Sequence, residues 1–252
     1  MVKVLTVLGL GPGAREWITP EAMAALEAAS DLVGYQTYLD LAPELASNPR
    51  RHPSGNRVEI ARAREALELA ASGKRVVLVT SGDPGIFAMA SAVYEVLDKE
   101  PESWAGVDVR IIPGLSAMQA AAARAGAPLG HDFCVISLSD IRKPWEVIEN
   151  RLVHAAQADF VIALYNPASK TRRAQVEKAI ALLLEHRGGA VPVVIGQNLG
   201  RDGERVVITR LDAVEPAIID MRTLLIIGSS QSRHVARTGG REFVYAPRSC
   251  GG

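Results

Sequence analysis

Residues 76–90 read VVLVTSGDPGIFAMA, and the fold follows from how this stretch is parsed. Val76 through Thr80 offers no polar face, the pattern of a strand covered on both sides of a parallel sheet. Ser81, Gly82, Asp83 and Pro84 end the strand. Gly82 permits a sharp turn or a close approach of backbone to a ligand. Asp83 followed by Pro84 fits an N-cap and a first helical position, so a helix is predicted over 86–97. The unit is strand, polar turn, helix, with the turn at the carboxyl end of the strand, where open α/β sheets bind ligands. Any parallel α/β protein repeats such units, so the turn alone leaves Asp83 open between a cap and a ligand contact.

Upstream, residues 3–10 form the first strand and end in the loop Gly9, Gly11, Pro12, Gly13. Thr19 caps the next helix, Pro20 and Glu21 open it, and residues 22–29 fill it. Gly9, Gly11 and Ala14 satisfy the spacing of a nicotinamide-binding glycine loop, which raises an oxidoreductase as an alternative. Against it, such a helix begins inside the loop so that its first amides meet the pyrophosphate. Here Pro12 interrupts and the helix begins later, and the second strand, 32–35, ends at Gln36 instead of an acidic residue for the ribose. Residues 36–58 read as irregular, with Pro43, Pro49, Pro53 and Gly55. Their Arg50, Arg51, His52 and Arg57 form either a solvated loop or a contact for an anionic substrate. A helix over 59–72 closes at Gly73.

Downstream, a strand over 107–112 runs into Pro113 and Gly114, and Ser116 opens a helix over 117–125. Ser116 is either an N-cap or a ligand donor at the helix mouth. Four alanines, Ala120 through Ala123, require that helix to pack very closely on a neighbour. GAPLG at 126–130 breaks the pattern and places the boundary between domains 1–126 and 127–252. In the second domain strands are predicted over 133–137, 160–164, 191–197, 204–209 and 223–227, and helices over 145–156 and 174–186. The turn GRDG at 200–203 implies antiparallel pairing, and the C-terminal tail is predicted to be poorly ordered at its end.

Apolar residues make up 48% of the 252, enough for a sizeable core in one large or two modest domains. Lys plus Arg equals Asp plus Glu at 28 each, a balance that argues against a nucleic-acid binder while allowing a local basic patch. Cys134 and Cys250 suggest no disulfide framework, and the five histidines show no metal-ligand spacing. MVKVLTVLGLGPG enters a strand directly without a cleavage region, and no apolar run approaches a membrane span. The expectation is a cytoplasmic protein with no metal and no membrane or nucleic-acid partner.

GLGPG at 9–13, SGDPGIFAMA at 81–90, PGLSAMQAAAA at 113–123 and LYNP at 164–167 occur in an order and spacing that resembles the tetrapyrrole methylase family. PLGHDFCVISLSDIRKPWEVIENRL at 128–152, with VGYQTYLD at 33–40 and SKTRR at 169–173, is similar to the branch that methylates carbon 17 of the macrocycle and contracts the ring. The resemblance implies a two-domain α/β fold, with a mostly parallel N-terminal sheet, a mixed C-terminal sheet and an active site in the cleft between the domains. It also implies a homodimer, S-adenosylmethionine as methyl donor and a precorrin as the tetrapyrrole substrate. The donor contacts it implies are Pro12, Gly82, Asp83, Ile86, Ser116, Ala117, Asn166 and Leu199, with Gly11 and Gly13 on the substrate side. The metal-free and the cobalt-containing substrates stay open between them.

Methyl transfer from a sulfonium is an in-line displacement that needs alignment and exclusion of water more than a protein nucleophile. Glycine turns and small helical residues suit a donor held by backbone. Ring contraction adds the removal of a proton from the carbon 20 hydroxyl, for which His131, Asp132 and Asp140 are the candidate bases. The alternative for His131 and Asp132 is a hinge role. Arg142, Lys143, Lys170, Arg172 and Arg173 are candidate partners for substrate carboxylates.

Overall fold

In the computed structural model, which describes residues 3–169 and 172–249, Val76–Thr80 is the middle strand of a five-stranded parallel sheet, buried at every position. The chain divides into two units, Met1–Ser116 and Ala117–Gly252. The first unit holds β1 (Lys3–Gly9), α1 (Pro20–Ala28), β2 (Asp31–Tyr35), α2 (Gln36–Leu41), β3 (Arg50–Ser54), α3 (Glu59–Ala71), β4 (Val76–Thr80), α4 (Met89–Lys99), α5 (Pro101–Trp104) and β5 (Val107–Ile112). Its strands run in the order β3-β2-β4-β1-β5, every pair parallel.

The alternation of a strand covered on both faces explains why β4 is apolar from Val76 to Val79, with only Thr80 polar at its end. Val76 and Leu78 join Leu5, Val7 and Val33 under Ala63, Leu67 and Val93 of α3 and α4. Val77 and Val79 join Leu8, Leu32 and Ile112 on the other face, against Ala22 and Leu26 of α1. Each such Val or Leu contributes roughly 1.5–3 kcal/mol when fully buried. Thr19 caps α1 as the sequence predicts, its hydroxyl accepting from the Ala22 N–H at 3.1 Å.

Two expectations need correction here. The helix after β4 begins at Met89, not at residue 86, because Asp83 does not cap it. Its Oδ1 instead accepts from the Gly85 N–H at 2.8 Å, Phe87 takes φ +53° and Ala88 is extended, so no helical turn forms until Met89. Residues 36–58 are not all irregular: they contain α2 and the edge strand β3. An edge tolerates Pro53 because the missing N–H can face away from the partner strand. The basic residues of this segment serve the fold in part: His52 Nε2 lies 2.8 Å from Asp31 Oδ1, and Arg51 donates to the Leu39 carbonyl at 3.0 Å.

The second unit holds α6 (Ala117–Ala125), β6 (Gly126–Ala127), β7 (Phe133–Ser137), α7 (Trp145–Gln157), β8 (Val161–Tyr165), α8 (Ala174–Arg187), β9 (Pro192–Gln197), β10 (Arg205–Arg210), β11 (Thr223–Ile227), β12 (Arg233–Ala236) and β13 (Glu242–Tyr245). Its main sheet runs β10-β9-β11-β8-β7 and is mixed: β7 and β8 pair in parallel, while β11 pairs antiparallel with both β8 and β9. Ile148, Leu152, Val176, Ile180 and Leu183 of α7 and α8 cover one face. On α6 the alanines do what their size requires: a Cβ added to Gly196 of β9 would stand 3.2 Å from the Ala121 Cβ. That helix therefore groups with the second unit, and the division falls ahead of it, ten residues before the 126–130 break where the sequence suggests one.

The break itself is occupied by β6, which pairs in parallel with β13, and β12 completes a small third sheet. Neither β12 nor β13 is among the strands expected from the sequence. Cys250, Gly251 and Gly252 lie outside the described residues, and with them the expectation about the end of the tail. Among the described residues no helix is long and apolar enough to cross a membrane.

Candidate active site

In the first unit the carboxyl ends of β4, β1 and β5 lie side by side, and three glycine turns interlock there. Gly82 donates to the Gly11 carbonyl at 2.8 Å, and Gly11 donates back to the Gly82 carbonyl at 3.2 Å. The Gly82 carbonyl is wedged between two other glycines: a Cβ at either Gly9 or Gly114 would come within 2.3 Å of it. Asp83 clasps the outer turns, accepting from Gly85 with one carboxylate oxygen and from the Gly114 N–H at 3.1 Å with the other. The sequence left Asp83 open between cap and ligand contact; its carboxylate is a tie between turns.

Gly82 itself has φ +69° and open space where a side chain would stand, so its main chain has a free flank. Gly13 and Ile86 are half-buried beside it, Pro12 is buried, and Ser116, the last residue of the unit, is 1% exposed. This is a cradle of main chain and small residues, suited to a polar ligand held by backbone atoms. It is not a dinucleotide loop: a 3-10 turn at Arg15–Trp17 follows the glycines, and α1 begins only at Pro20. No helix N-terminus is presented at Gly9–Gly11 for a pyrophosphate.

A residue absent from the sequence reading stands at the same edge of this sheet. Arg62 of α3 is 5% exposed and donates from Nε to Ser54 Oγ at 2.6 Å and from Nη2 to the Gly55 carbonyl at 2.6 Å. Its Nη1 reaches the Met89 sulfur at 3.4 Å, and Ser54 in turn donates to the Gly34 carbonyl at 3.1 Å. Burial lowers the guanidinium pKa below its ordinary value, while Glu59, Tyr38, Glu65 and Tyr35 oppose that shift. Arg62 thus ties the ends of β2 and β3 to the first residue of α4. The signal was legible: position 62 lies on the stripe 62, 66, 70 with Ala66 and Ala70, and a charge on that stripe has to be buried.

In the second unit the carboxyl ends of β7, β8 and β9 share one edge, since β8 and β9 both run antiparallel to β11. Asn166 sits just past β8 with φ +52°, its amide donating to Ser137 Oγ at 2.9 Å. The Tyr165 hydroxyl accepts from the Met118 N–H at 3.0 Å, which brings the first turn of α6, with Ala117, to the same edge. Leu199 follows β9 but is buried, its methyls turned back onto Gly196, so only its backbone can meet a ligand. Arg172 and Asp140 stand here also, with Nε 3.7 Å from Oδ1. Arg142 and Arg173 are exposed, and burial followed by repulsion from Arg151 lowers the pKa of half-buried Lys143. Lys170 lies outside the described residues.

The three candidate bases do not come together. Asp140 is past the carboxyl end of β7, whereas His131 and Asp132 precede its amino end, so the five residues of the strand, roughly 17 Å, stand between them. There the Asp132 N–H donates to His131 Nδ1 at 2.7 Å, and both line a pocket of about 160 Å³ with Asp159, Phe160, Ser229 and Gln231. Among the described residues no group of three or more His, Cys, Asp or Glu side chains is placed to hold a metal ion.

Comparison with known proteins places the chain in a family. Residues 4–215 match the family described as tetrapyrrole (corrin/porphyrin) methylases. The chain is 49% identical to a precorrin-3B C(17)-methyltransferase from Sinorhizobium sp over 98% of its own length and 97% of the relative's. It is 52% identical to the cobalamin biosynthesis protein CobIJ of Mycobacterium tuberculosis over 97% of its own length, but spans only 48% of that relative, about half. Among solved structures, that of the methyltransferase CobJ superposes with a TM-score of 0.89 at 47% identity, covering 96% of this chain and 99% of the other.

Proposed function

The chain belongs to the tetrapyrrole (corrin/porphyrin) methylases, and we propose on that footing that it methylates carbon 17 of precorrin-3B and supports ring contraction to precorrin-4. The observation that carries this reading is the interlock of Gly9, Gly11, Gly82 and Gly114, which leaves the Gly82 main chain open on one flank. S-adenosylmethionine supplies a methyl group on a positively charged sulfur. Gly82, Ile86, Pro12, Ser116, Ala117 and the Leu199 backbone hold and orient it in this reading, and Asn166 offers a polar contact.

Alignment and dryness are what these residues contribute. Main-chain groups fixed by reciprocal hydrogen bonds need no reorganisation when the methyl moves, so orientation is set in advance. For contraction, Asp140 takes the proton from the carbon 20 hydroxyl in this reading, because it alone of the three candidates stands on the edge shared with Asn166. Gln175 Nε2 donates to its Oδ2 at 2.7 Å and fixes its orientation. Arg142, Lys143, Lys170 and Arg173 are partners for substrate carboxylates, and Gly11 and Gly13 approach the macrocycle. A homodimer acting in the cytoplasm without a resident metal goes with the same reading.

The test is incubation with precorrin-3B and labelled donor, followed by mass and carbon-skeleton analysis. Label at carbon 17 in a contracted ring is expected. No label, with unaltered precorrin recovered, rejects the activity. Conversion confined to the cobalt-containing factor III would move the substrate to the metal-bound form, a form that a 42% identical Salmonella typhimurium relative described as a probable cobalt-factor III C(17)-methyltransferase is named for. In Asp140→Asn, methylation without contraction is expected; unchanged contraction removes Asp140 from that step.

A further inference from the structure

Arg172 begins as one basic side chain in the run SKTRR, a candidate for a substrate carboxylate. Its surroundings point elsewhere. It is 8% exposed, and its fork is already directed at the protein: Nη1 donates to the Leu138 carbonyl at 2.9 Å and Nη2 to the Asn166 carbonyl at 3.1 Å. Leu138 follows β7 and Asn166 follows β8, so one planar guanidinium spans the two loops at the carboxyl edge. Asp140 stands 3.7 Å from Nε and is itself held by Gln175, which balances the buried charge.

Asn166 needs such support. Its φ of +52° is left-handed, a conformation that asparagine reaches more easily than other residues with a side chain but that favours glycine, so its surroundings have to fix it. Its side-chain amide is fixed by Ser137 Oγ at 2.9 Å, its carbonyl by Arg172, and the preceding Tyr165 carbonyl accepts from the Leu138 N–H at 2.9 Å. Two of its five N–H donors are spent on backbone carbonyls, and at 8% exposure the Arg172 guanidinium offers little surface to a substrate carboxylate; drawing the fork outward would leave both carbonyls without their donors.

We infer that Arg172 is a positioning residue: it holds Asn166 in its left-handed conformation and so shapes the donor subsite at the end of β8, and it does not meet a substrate carboxylate. The inference rests on the methyl-donor reading of that edge. A lysine cannot reproduce it, because one ammonium is a point donor where a flat fork is required.

The experiment is a double-mutant cycle of Arg172→Lys and Asn166→Ala, read by titration calorimetry with S-adenosylhomocysteine and by KM for the tetrapyrrole. Arg172→Lys is expected to weaken S-adenosylhomocysteine about tenfold, the loss of one charge-assisted hydrogen bond, with the tetrapyrrole KM within about twofold of wild type. On the Asn166→Ala background the same change is expected to cost almost nothing further. Methylguanidinium added to Arg172→Ala is expected to restore binding, and methylammonium is not. Equal losses on both backgrounds, or a raised tetrapyrrole KM with unchanged S-adenosylhomocysteine affinity, overturn the inference. Should Arg172→Ala fail to fold, the cycle with lysine still decides. A wild-type chain that gives no heat with S-adenosylhomocysteine refutes the donor reading itself, and the role of Arg172 falls with it.

Discussion

Replacing Gly114 by alanine tests the interlock of the three glycine turns. The added Cβ would stand 2.3 Å from the Gly82 carbonyl oxygen and 2.8 Å from the Gly9 carbonyl, where ordinary contact begins at 3.4 Å. Both obstacles are backbone, so relief requires moving a turn by about 1 Å rather than a rotamer change; such overpacking costs about 1–3 kcal/mol. Shifting the Gly82 carbonyl also strains its bond from Gly11, worth about 1 kcal/mol. A total near 3 kcal/mol corresponds to a fall in Tm of about 6–12 °C for a chain of this size. Gly82→Ala is the contrasting case. A Cβ there meets nothing within 4 Å, and only the left-handed φ of +69° opposes it, at about 1–2 kcal/mol. Calorimetric melting should therefore rank Gly114→Ala as the more damaging. S-adenosylhomocysteine titration should show Gly82→Ala losing affinity out of proportion to its stability, because its methyl fills the open flank. Wild-type melting of Gly114→Ala, or a reversed ranking, would refute the reasoning.

Two further outcomes follow from buried charges in the first unit. Arg62→Met should cost about 2–4 kcal/mol by urea denaturation, since it leaves the Gly55 carbonyl without its donor, and should raise amide exchange around Gly55 and Met89; unchanged exchange at both would show that Arg62 ties nothing together. Burial alone would raise the Asp31 pKa, but hydrogen bonds from His52, Ser30 and Lys74 hold it below 3.8. A carboxyl depressed in the folded state adds stability above its unfolded value and loses it as pH falls through the lower folded one. Stability should accordingly decline on acidification through and below pH 3.8, and Asp31→Asn should be less stable at neutral pH with a shallower acid decline. An Asp31→Asn curve parallel to wild type would reject that account.

The sequence disclosed those features that depend on local pattern. The five buried residues of β4, the Thr19 cap and the GRDG hairpin each declared themselves through periodicity or turn chemistry. What stayed hidden depends on partners far along the chain. β3 carries Arg50, Arg51 and Pro53, and only pairing with β2 and the contact of His52 with Asp31 make it a strand. β12 and β13 are short and mostly exposed, so they show no apolar alternation. Asp83 looked like a cap because its second carboxylate bond, to Gly114, lies 31 residues away. Within the candidate site, the glycine turns were legible as backbone features. The separation of His131 from Asp140 was legible too, because the strand expected over 133–137 stands between them; what the sequence did not show is which end of that strand faces Asn166.

The pairing of β6 with β13 joins residues 126–127 to 244–245. During synthesis the second unit therefore opens with α6 and β6 but cannot close until the last of its strands has left the ribosome. Until then β6 has an unsatisfied edge, while the parallel sheet of the first unit, complete by Ile112, is free to form. Assembly is thus sequential by construction, the leading half maturing while the trailing half waits for its own final residues.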